Sequence, residues 1–98
     1  MIILRHEAWS FGDGLAFYLA GHDAEAFHAR ISGPGKREYV VYAASYEEAM
    51  QAHYERQGWG TYKPAPEGAD NYTTAQLERQ LVEYPDDEAL RQLNGLAD

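Results

Sequence analysis

Cysteine is absent from this 98-residue sequence, which excludes several classes of small protein. A disulfide-stapled scaffold of the secreted type is impossible, and so are thiolate zinc sites, CxxC redox motifs and a cysteine nucleophile. A chain of this length buries roughly 60–70% of the surface that it exposes when unfolded, enough for one modest core without staples. We therefore expect a single domain over residues 1–98.

Long apolar runs are also absent. The run Met1–Leu4 is far shorter than the apolar region of a signal peptide, and a charge follows at Arg5. No stretch approaches the ~18 apolar residues of a membrane span. Taking Met1 as the natural start, we expect a cytoplasmic protein that does not bind membranes.

Motifs that identify an enzyme by themselves are missing too. The sequence contains no P-loop and no GxGxxG, HExxH, GxSxG or Cx2C pattern. These absences leave open enzymes whose sites assemble from scattered residues. The four histidines, His6, His22, His28 and His53, match no metal-ligand spacing, so we predict no metal site and no cofactor.

Negative charge is plentiful and unevenly distributed. The net charge is −8; residues 1–66 carry eight acids and six bases (−2), whereas residues 67–98 carry eight acids and two bases (−6). Such a field repels phosphate backbones and disfavours direct nucleic-acid binding. It attracts a basic protein partner, although an acidic surface also serves solubility.

Turn residues divide the first half of the chain into segments of strand length. Gly-rich turns lie at 12–14, 21–23 and 33–36. The segments between and after them are Ile2–Phe11, Leu15–Ala20, Glu25–Ser32 and Tyr39–Ala43. Short turns between consecutive strands predict an antiparallel four-stranded meander.

The third of these segments has two interpretations. In Glu25–Ser32 the residues Phe27, Ala29 and Ile31 alternate with polar residues, which is typical of a half-buried strand. Residues 24–30 also suit a helix by intrinsic propensity. We favour the strand and keep the helix as the alternative.

Capping residues predict the helices of the second half. Ser45 with Glu48 resembles a capping box, and Gly58 can end a helix over residues 46–57 in the left-handed conformation. Thr73 with Gln76 begins a second helix, which Pro85 ends. A last helix is predicted from about Pro85 to Leu96, with Pro85 as its first residue.

The fold class predicted from these elements is α+β. One helix covers an antiparallel four-stranded meander, and a C-terminal helical pair follows it. The segments are a meander plus helix (1–58), an aromatic loop (59–72) rich in proline and glycine, and an acidic helical segment (73–98).

His53 is a candidate site because it lies within an apolar stripe of the helix over residues 46–57. A polar ring there requires a hydrogen-bond partner. We favour a core histidine bonded to a carbonyl or a tyrosine hydroxyl. The alternative is a general base in a small enzyme or an accessory subunit, which requires Glu7, Asp13 or Asp23 nearby.

Three aromatic residues of the loop are candidate interaction residues: Trp59, Tyr62 and Tyr72. Aromatic residues with a polar edge are common at protein interfaces. They are equally suited to pinning a long loop onto its own domain. Both interpretations stay open.

Five acids of the C-terminal segment complete the candidate interaction surface: Glu78, Glu83, Asp86, Asp87 and Glu88. The last three also suit the first turn of a helix, where carboxylates stabilise the positive end of its dipole. As a surface patch, the five would steer a basic partner toward the protein.

The function predicted from these features is non-catalytic binding of a basic, nucleic-acid-handling protein, as an inhibitor or immunity-type protein. A phage anti-defence protein and a toxin antidote both fit. The alternatives are an enzyme with a site around His53 and an oligomer-forming domain in which an edge strand pairs with its copy in a homodimer.

Overall fold

A three-stranded antiparallel sheet with helices on both faces forms the fold. The computed structural model describes residues 1–12, 14–63 and 72–96, so residues 64–71 of the predicted aromatic loop lie outside the described part. The elements are β1 (Leu4–Phe11), β2 (Gly14–Leu19), α1 (His22–Ser32), β3 (Lys36–Ala43), α2 (Tyr46–Gln57), α3 (Thr74–Glu83) and α4 (Glu88–Leu93). The α+β class is confirmed.

β1 is the central strand, and the sheet order is β2-β1-β3. Glu7 lies opposite Tyr18 of β2 and opposite Val40 of β3, and both pairings are antiparallel. Because successive side chains of a strand point to opposite faces, His6 lies on one face and Arg5 and Glu7 lie on the other. The two faces carry the two groups of polar residues described below.

The predicted four-stranded meander is wrong, because Glu25–Ser32 belongs to α1 rather than to a strand. The chain returns through α1, and β3 then pairs with β1 instead of with β2. β1 thus has a partner on both edges. The alternation of Phe27, Ala29 and Ile31 was misleading, and the helix propensity of residues 24–30 prevailed. Phe27 and Ile31 are 51% and 62% exposed on α1.

α2 has the predicted bounds, N-cap residue and C-cap glycine, but the capping box predicted for Ser45 and Glu48 is only half formed. The Ser45 hydroxyl accepts a hydrogen bond from the Glu48 N–H at 3.1 Å, and Gly58 ends the helix with φ at 71°. The Glu48 carboxylate reaches back to the Ala44 N–H rather than to that of Ser45. Ala49 and His53 form its buried face, which covers the His6 side of the sheet.

The C-terminal helices are confirmed, but the last one is shorter at both ends than predicted, Glu88–Leu93 instead of about Pro85 to Leu96. Thr73 and Gln76 form the predicted capping box of α3. α4 begins at Glu88, not at Pro85, because the Asp87 carboxylate caps it by accepting a hydrogen bond from the Leu90 N–H at 3.0 Å. Among the described residues, no helix has both the length and the apolarity of a membrane span.

Two side-chain amides continue the pairing of β1 beyond the end of β2. Gln80 of α3 accepts from the Arg5 N–H at 2.9 Å and donates to the Arg5 carbonyl at 3.0 Å. Asn94, after α4, does the same for Ile3, at 2.7 and 2.8 Å. Residues two apart on a strand direct their backbone groups to the same edge. The amides therefore occupy the edge where a longer β2 would have paired.

A cluster of leucines packs at the same end of the sheet as these amides. Leu4 of β1, Leu77 of α3 and Leu90 of α4 form one buried cluster. The apolar contacts and the amide pairs thus fix the same two helices to the same strand. This positions the corner between α3 and α4 against the Arg5 side of the sheet.

Gln80 also donates to the Ala20 carbonyl at 2.9 Å. We predict that Gln80→Leu lowers the free energy of unfolding by about 2–4 kcal/mol, because the buried Arg5 N–H and Ala20 carbonyl lose this partner. Urea unfolding followed by circular dichroism measures this change. Gln92→Leu, at an exposed position of α4, is the matched control and should stay within about 0.5 kcal/mol of the wild type. Equal effects of the two substitutions would contradict the structural role of Gln80.

Candidate functional site

An open cleft of about 430 Å³ lies at the corner between α3 and α4, beside the Arg5 face of the sheet. Its lining residues combine four acids and two bases with a tyrosine and a proline: Arg5, Arg37, Glu83, Tyr84, Pro85, Asp86, Asp87 and Glu88. Four carboxylates and two guanidinium groups give this acidic cleft a net charge of −2. The field within it favours a cationic group.

A buried ion network forms the floor of the acidic cleft. Arg5 donates to the Glu7 carboxylate through Nε (2.9 Å) and Nη2 (2.6 Å), and to Asp87 through Nη1 (2.8 Å). Arg37 adds a longer contact to Glu7 at 3.4 Å, and the Trp9 indole N–H donates to its other oxygen at 3.0 Å. The buried charges are thus hydrogen-bonded as well as paired, as burial requires.

Asp87 joins the floor of the cleft to α4. Burial alone would raise the pKa of Asp87, but hydrogen bonds from the Leu90 N–H, Arg5 and the Tyr42 hydroxyl outweigh burial and lower it. The same environment raises the pKa of Tyr42 to about 12, first through burial and then through Asp87. Asp87 therefore stays ionised and Tyr42 stays protonated near neutral pH.

Tyr84 forms a wall of the cleft. The Arg5 guanidinium lies 4.4 Å from the centroid of the Tyr84 ring, a cation–π arrangement. Its hydroxyl is buried and has no hydrogen-bond partner among the described residues. Burial, together with the negative charge of Glu7, raises the pKa of Tyr84 above its usual value. The hydroxyl therefore stays neutral near pH 7.

The predicted acids divide into internal and external groups. Asp87 is paired with Arg5, and Glu83 accepts from the His22 N–H at 2.9 Å and from Arg79 at 3.0 Å. Asp86, Glu88 and Glu78 are exposed, and no ion pair involves them within the described residues. Four of the five line the acidic cleft, and Glu78 lies on α3 outside its lining.

The three predicted aromatic residues lie in two places. Trp59 is 55% exposed and packs its ring edge-to-face with His53 and Tyr54. Tyr62 contacts Tyr54 in the same manner, so both lie at the C-terminal end of α2. Tyr72 packs instead against the leucine cluster at the end of the sheet, a pinning contact.

His53 and His6 lie on either side of Phe17, both buried. Their rings stack on the Phe17 ring at centroid distances of 4.3 and 5.9 Å. The Tyr39 hydroxyl accepts from Gln57 at 3.0 Å and donates to His53 Nδ1, so His53 is a hydrogen-bonded core residue. Burial lowers the pKa of His53.

The carboxylates that a catalytic His53 requires lie elsewhere or outside the described residues. Glu7 is on the opposite face of the sheet with Arg5, and Asp23 pairs with Arg79. Asp13 lies outside the described residues. The geometry around His53 therefore gives no support to a general base.

Sequence reasoning missed the residues beneath the acidic cleft. Arg5 and Glu7 have opposite charges two positions apart on a strand, so the pattern alone places them side by side on one face. That signal predicts the Arg5–Glu7 pair. It does not predict Asp87 or Tyr84, since those contacts span about 80 positions and depend on how the C-terminal helices pack.

Neither a metal-ligand group within the described residues nor a match to a known protein indicates a function for this chain. Within residues 1–12, 14–63 and 72–96, no group of three or more His, Cys, Asp or Glu side chains is placed to hold a metal ion. A scan against protein-family models and searches of curated proteins and of solved structures found no match to this chain. A functional proposal therefore depends on the side-chain arrangement itself.

We predict that adjacent acids of the cleft differ in their effect on stability. Asp87→Ala should lower the free energy of unfolding by about 3–5 kcal/mol, because it leaves Arg5 buried with one partner fewer and removes the cap of α4. Asp86→Ala is the matched control and should change it by less than about 0.5 kcal/mol. Chemical denaturation measures both, and similar values would contradict the division between internal and external acids.

His6 makes folding stability depend on pH. Burial lowers its pKa from 6.5 to about 4. Nδ1 donates to the Val41 carbonyl at 3.2 Å, so Nε2 is left to accept from the Tyr72 hydroxyl at 2.6 Å. Both contacts suit the neutral ring. Its stabilising contribution is therefore complete above pH 6.5 and is lost as the pH falls toward 4.

We expect the free energy of unfolding to fall by about 3 kcal/mol between pH 6.5 and 4 through this residue alone. Urea unfolding at a series of pH values measures the slope. His6→Gln should remove most of it, whereas His22→Gln, at an exposed position, should keep it. An unchanged slope in His6→Gln would show that other groups carry the pH dependence.

Proposed function

We propose that this protein is a non-catalytic binding module that takes an arginine or lysine of a basic partner into the acidic cleft. The partner class is a protein that handles nucleic acid, and the module acts on it as an inhibitor or immunity-type protein does. A phage anti-defence protein and a toxin antidote are two settings of this one activity. The observation that carries the proposal is the gathering of Glu83, Asp86, Asp87 and Glu88 around one cleft.

The charge of the cleft supports a cationic guest. At the floor of the cleft, the positive charges of Arg5 and Arg37 balance the negative charges of Glu7 and Asp87. Asp86 and Glu88, in contrast, are exposed carboxylates at the cleft. Exposed, unpaired carboxylates lose little on meeting a guanidinium and gain a charge-assisted hydrogen bond. They also steer encounter with a positive surface.

The cleft is held in shape before a partner arrives. Asp87 caps α4 and bonds Arg5 at the same time, so the turn between α3 and α4 is fixed to the sheet. Little ordering is therefore required on binding, which favours affinity.

Inhibition follows from the chemistry that the partner uses. A nucleic-acid-handling protein presents lysines and arginines to phosphate groups. Carboxylates that bind those same side chains compete with the phosphates for them. The net charge of −8 keeps this module itself away from nucleic acid.

Trp59 and Tyr62 enter the proposal as a separate contact, since they lie at the end of α2 and outside the lining of the cleft. An exposed ring held by edge-to-face packing is a typical anchor at an interface. Trp59→Ala measures this contribution independently of the acidic cleft.

The charge reversal Asp86→Lys with Glu88→Lys tests the proposal. We expect a pull-down from nuclease-treated lysate at about 0.05 M salt to capture a basic protein with the wild type, and to lose it with the variant and at about 0.5 M salt. With the captured partner purified, the variant should bind at least about tenfold more weakly. The wild type should also displace nucleic acid from that partner.

Glu47→Lys with Glu55→Lys, on α2, is the matched control, because it makes the same change in net charge outside the cleft. It should retain the partner. Equal loss of the partner in both variants would attribute the effect to overall charge and would contradict binding at the acidic cleft. Capture of no basic protein at low salt would contradict the binding module as a whole.

A further inference from the structure

A second cleft, of about 370 Å³, lies between α1 and the Glu7 face of the sheet. Trp9, Phe11 and Tyr18 line it on the side of the sheet, and Ala26 and Ala29 line it on the side of the helix. These residues are distinct from those of the acidic cleft. The volume falls in the lower part of the ~300–1,000 Å³ range of small-molecule sites.

The residues of α1 leave this apolar cleft open. None of them is buried, and the helix presents alanines to the space above the aromatic rings. The larger apolar residues Phe27 and Ile31 are exposed. A helix that packs closely on a sheet fills the interface with large side chains, because protein interiors are densely packed.

The aromatic walls are fixed by contacts of their own. The Trp9 indole N–H donates to Glu7 at 3.0 Å, and the Tyr18 ring stacks on His28 with centroids 4.3 Å apart. Phe11 lies so close to Gly35 that a methyl group there would overlap its ring. The cleft is thus a preformed surface rather than one shaped by the ligand.

Polar groups at the apolar cleft select the charge of a ligand. The Tyr18 hydroxyl is buried and has no hydrogen-bond partner among the described residues. Burial, with the charges of Glu7 and Glu25, raises the pKa of Tyr18 to about 12, so the hydroxyl stays neutral near pH 7. Glu25 also lines the cleft. The local field therefore opposes an anion and favours a cation.

We propose that this apolar cleft binds a small arylalkylamine, meaning an aromatic ring joined by a short alkyl chain to a protonated amine. The ring packs between Trp9, Phe11 and the alanines of α1. The ammonium group pairs with the Glu25 carboxylate. This site is independent of the acidic cleft and of the proposed partner, so either proposal can fail without the other.

Three probes of similar size and different charge test the site: phenethylamine, 2-phenylethanol and phenylacetate. The readout is the Trp9 indole N–H signal in a ¹H–¹⁵N NMR titration, assigned as the indole signal that remains in Trp59→Phe. We expect phenethylamine to bind with a Kd of about 1 mM or tighter and phenylacetate to bind at least about tenfold more weakly. The affinity for 2-phenylethanol should lie between the affinities for the other two probes.

Matched variants separate the parts of the site. Glu25→Gln should lower the affinity for phenethylamine about tenfold, to the affinity of the alcohol, and leave the affinity for the alcohol unchanged. Ala29→Leu fills the cleft and should abolish binding of all three probes, whereas Ala89→Leu, the same change at an exposed position of α4, should have no effect.

Three outcomes would overturn the proposal. The first is the absence of a saturable shift with phenethylamine up to about 10 mM. The second is phenylacetate binding as tightly as the amine. The third is binding of the amine that Ala29→Leu leaves unchanged while the variant is folded.

Discussion

The ion network of Arg5, Glu7 and Asp87 is the interaction on which the rest of the molecule depends. It joins the central strand to the cap of α4, and it does so within a buried region. Charges buried there are tolerated because each is both paired and hydrogen-bonded. Within residues 1–12, 14–63 and 72–96, no ion pair involves the exposed acids of the corner, Asp86 and Glu88. One network thus fixes the architecture and sets the charge of the acidic cleft.

The polar character of the interior explains why the fold is assembled from specific contacts rather than from a large apolar core. The side-chain amides of Gln80 and Asn94 take the place of backbone groups along β1. Such pairs have strict geometry, so they admit one register of the helices against the strand. The leucine cluster supplies apolar contact, and the amides specify position.

Local signals predicted the parts of this fold whose causes are local. The caps at Ser45 and Thr73 identified the starts of α2 and α3 because the side-chain acceptor and its backbone N–H donor lie within one turn of each other. The segment 25–32 was assigned wrongly because its pattern fits two periodicities, and only the pairing of β3 with β1 decides between them. The sequence shows the C-terminal acids as a run. It does not show that Arg5 lies beneath them, since the contact between Arg5 and Asp87 spans 82 positions.

The amide pairs also determine the order in which this chain can complete itself during translation. β1 is synthesised before α3 and α4, yet the N–H groups of Arg5 and of Ile3, next to the strand, find their partners 75 and 91 residues later. A nascent chain on the ribosome therefore carries an unfinished strand edge until α3 and α4 emerge from the exit tunnel. Long sequence separations of this kind also slow folding, because the connecting chain must be ordered before the contact forms. β1 is thus completed only after α3 and α4 have been made.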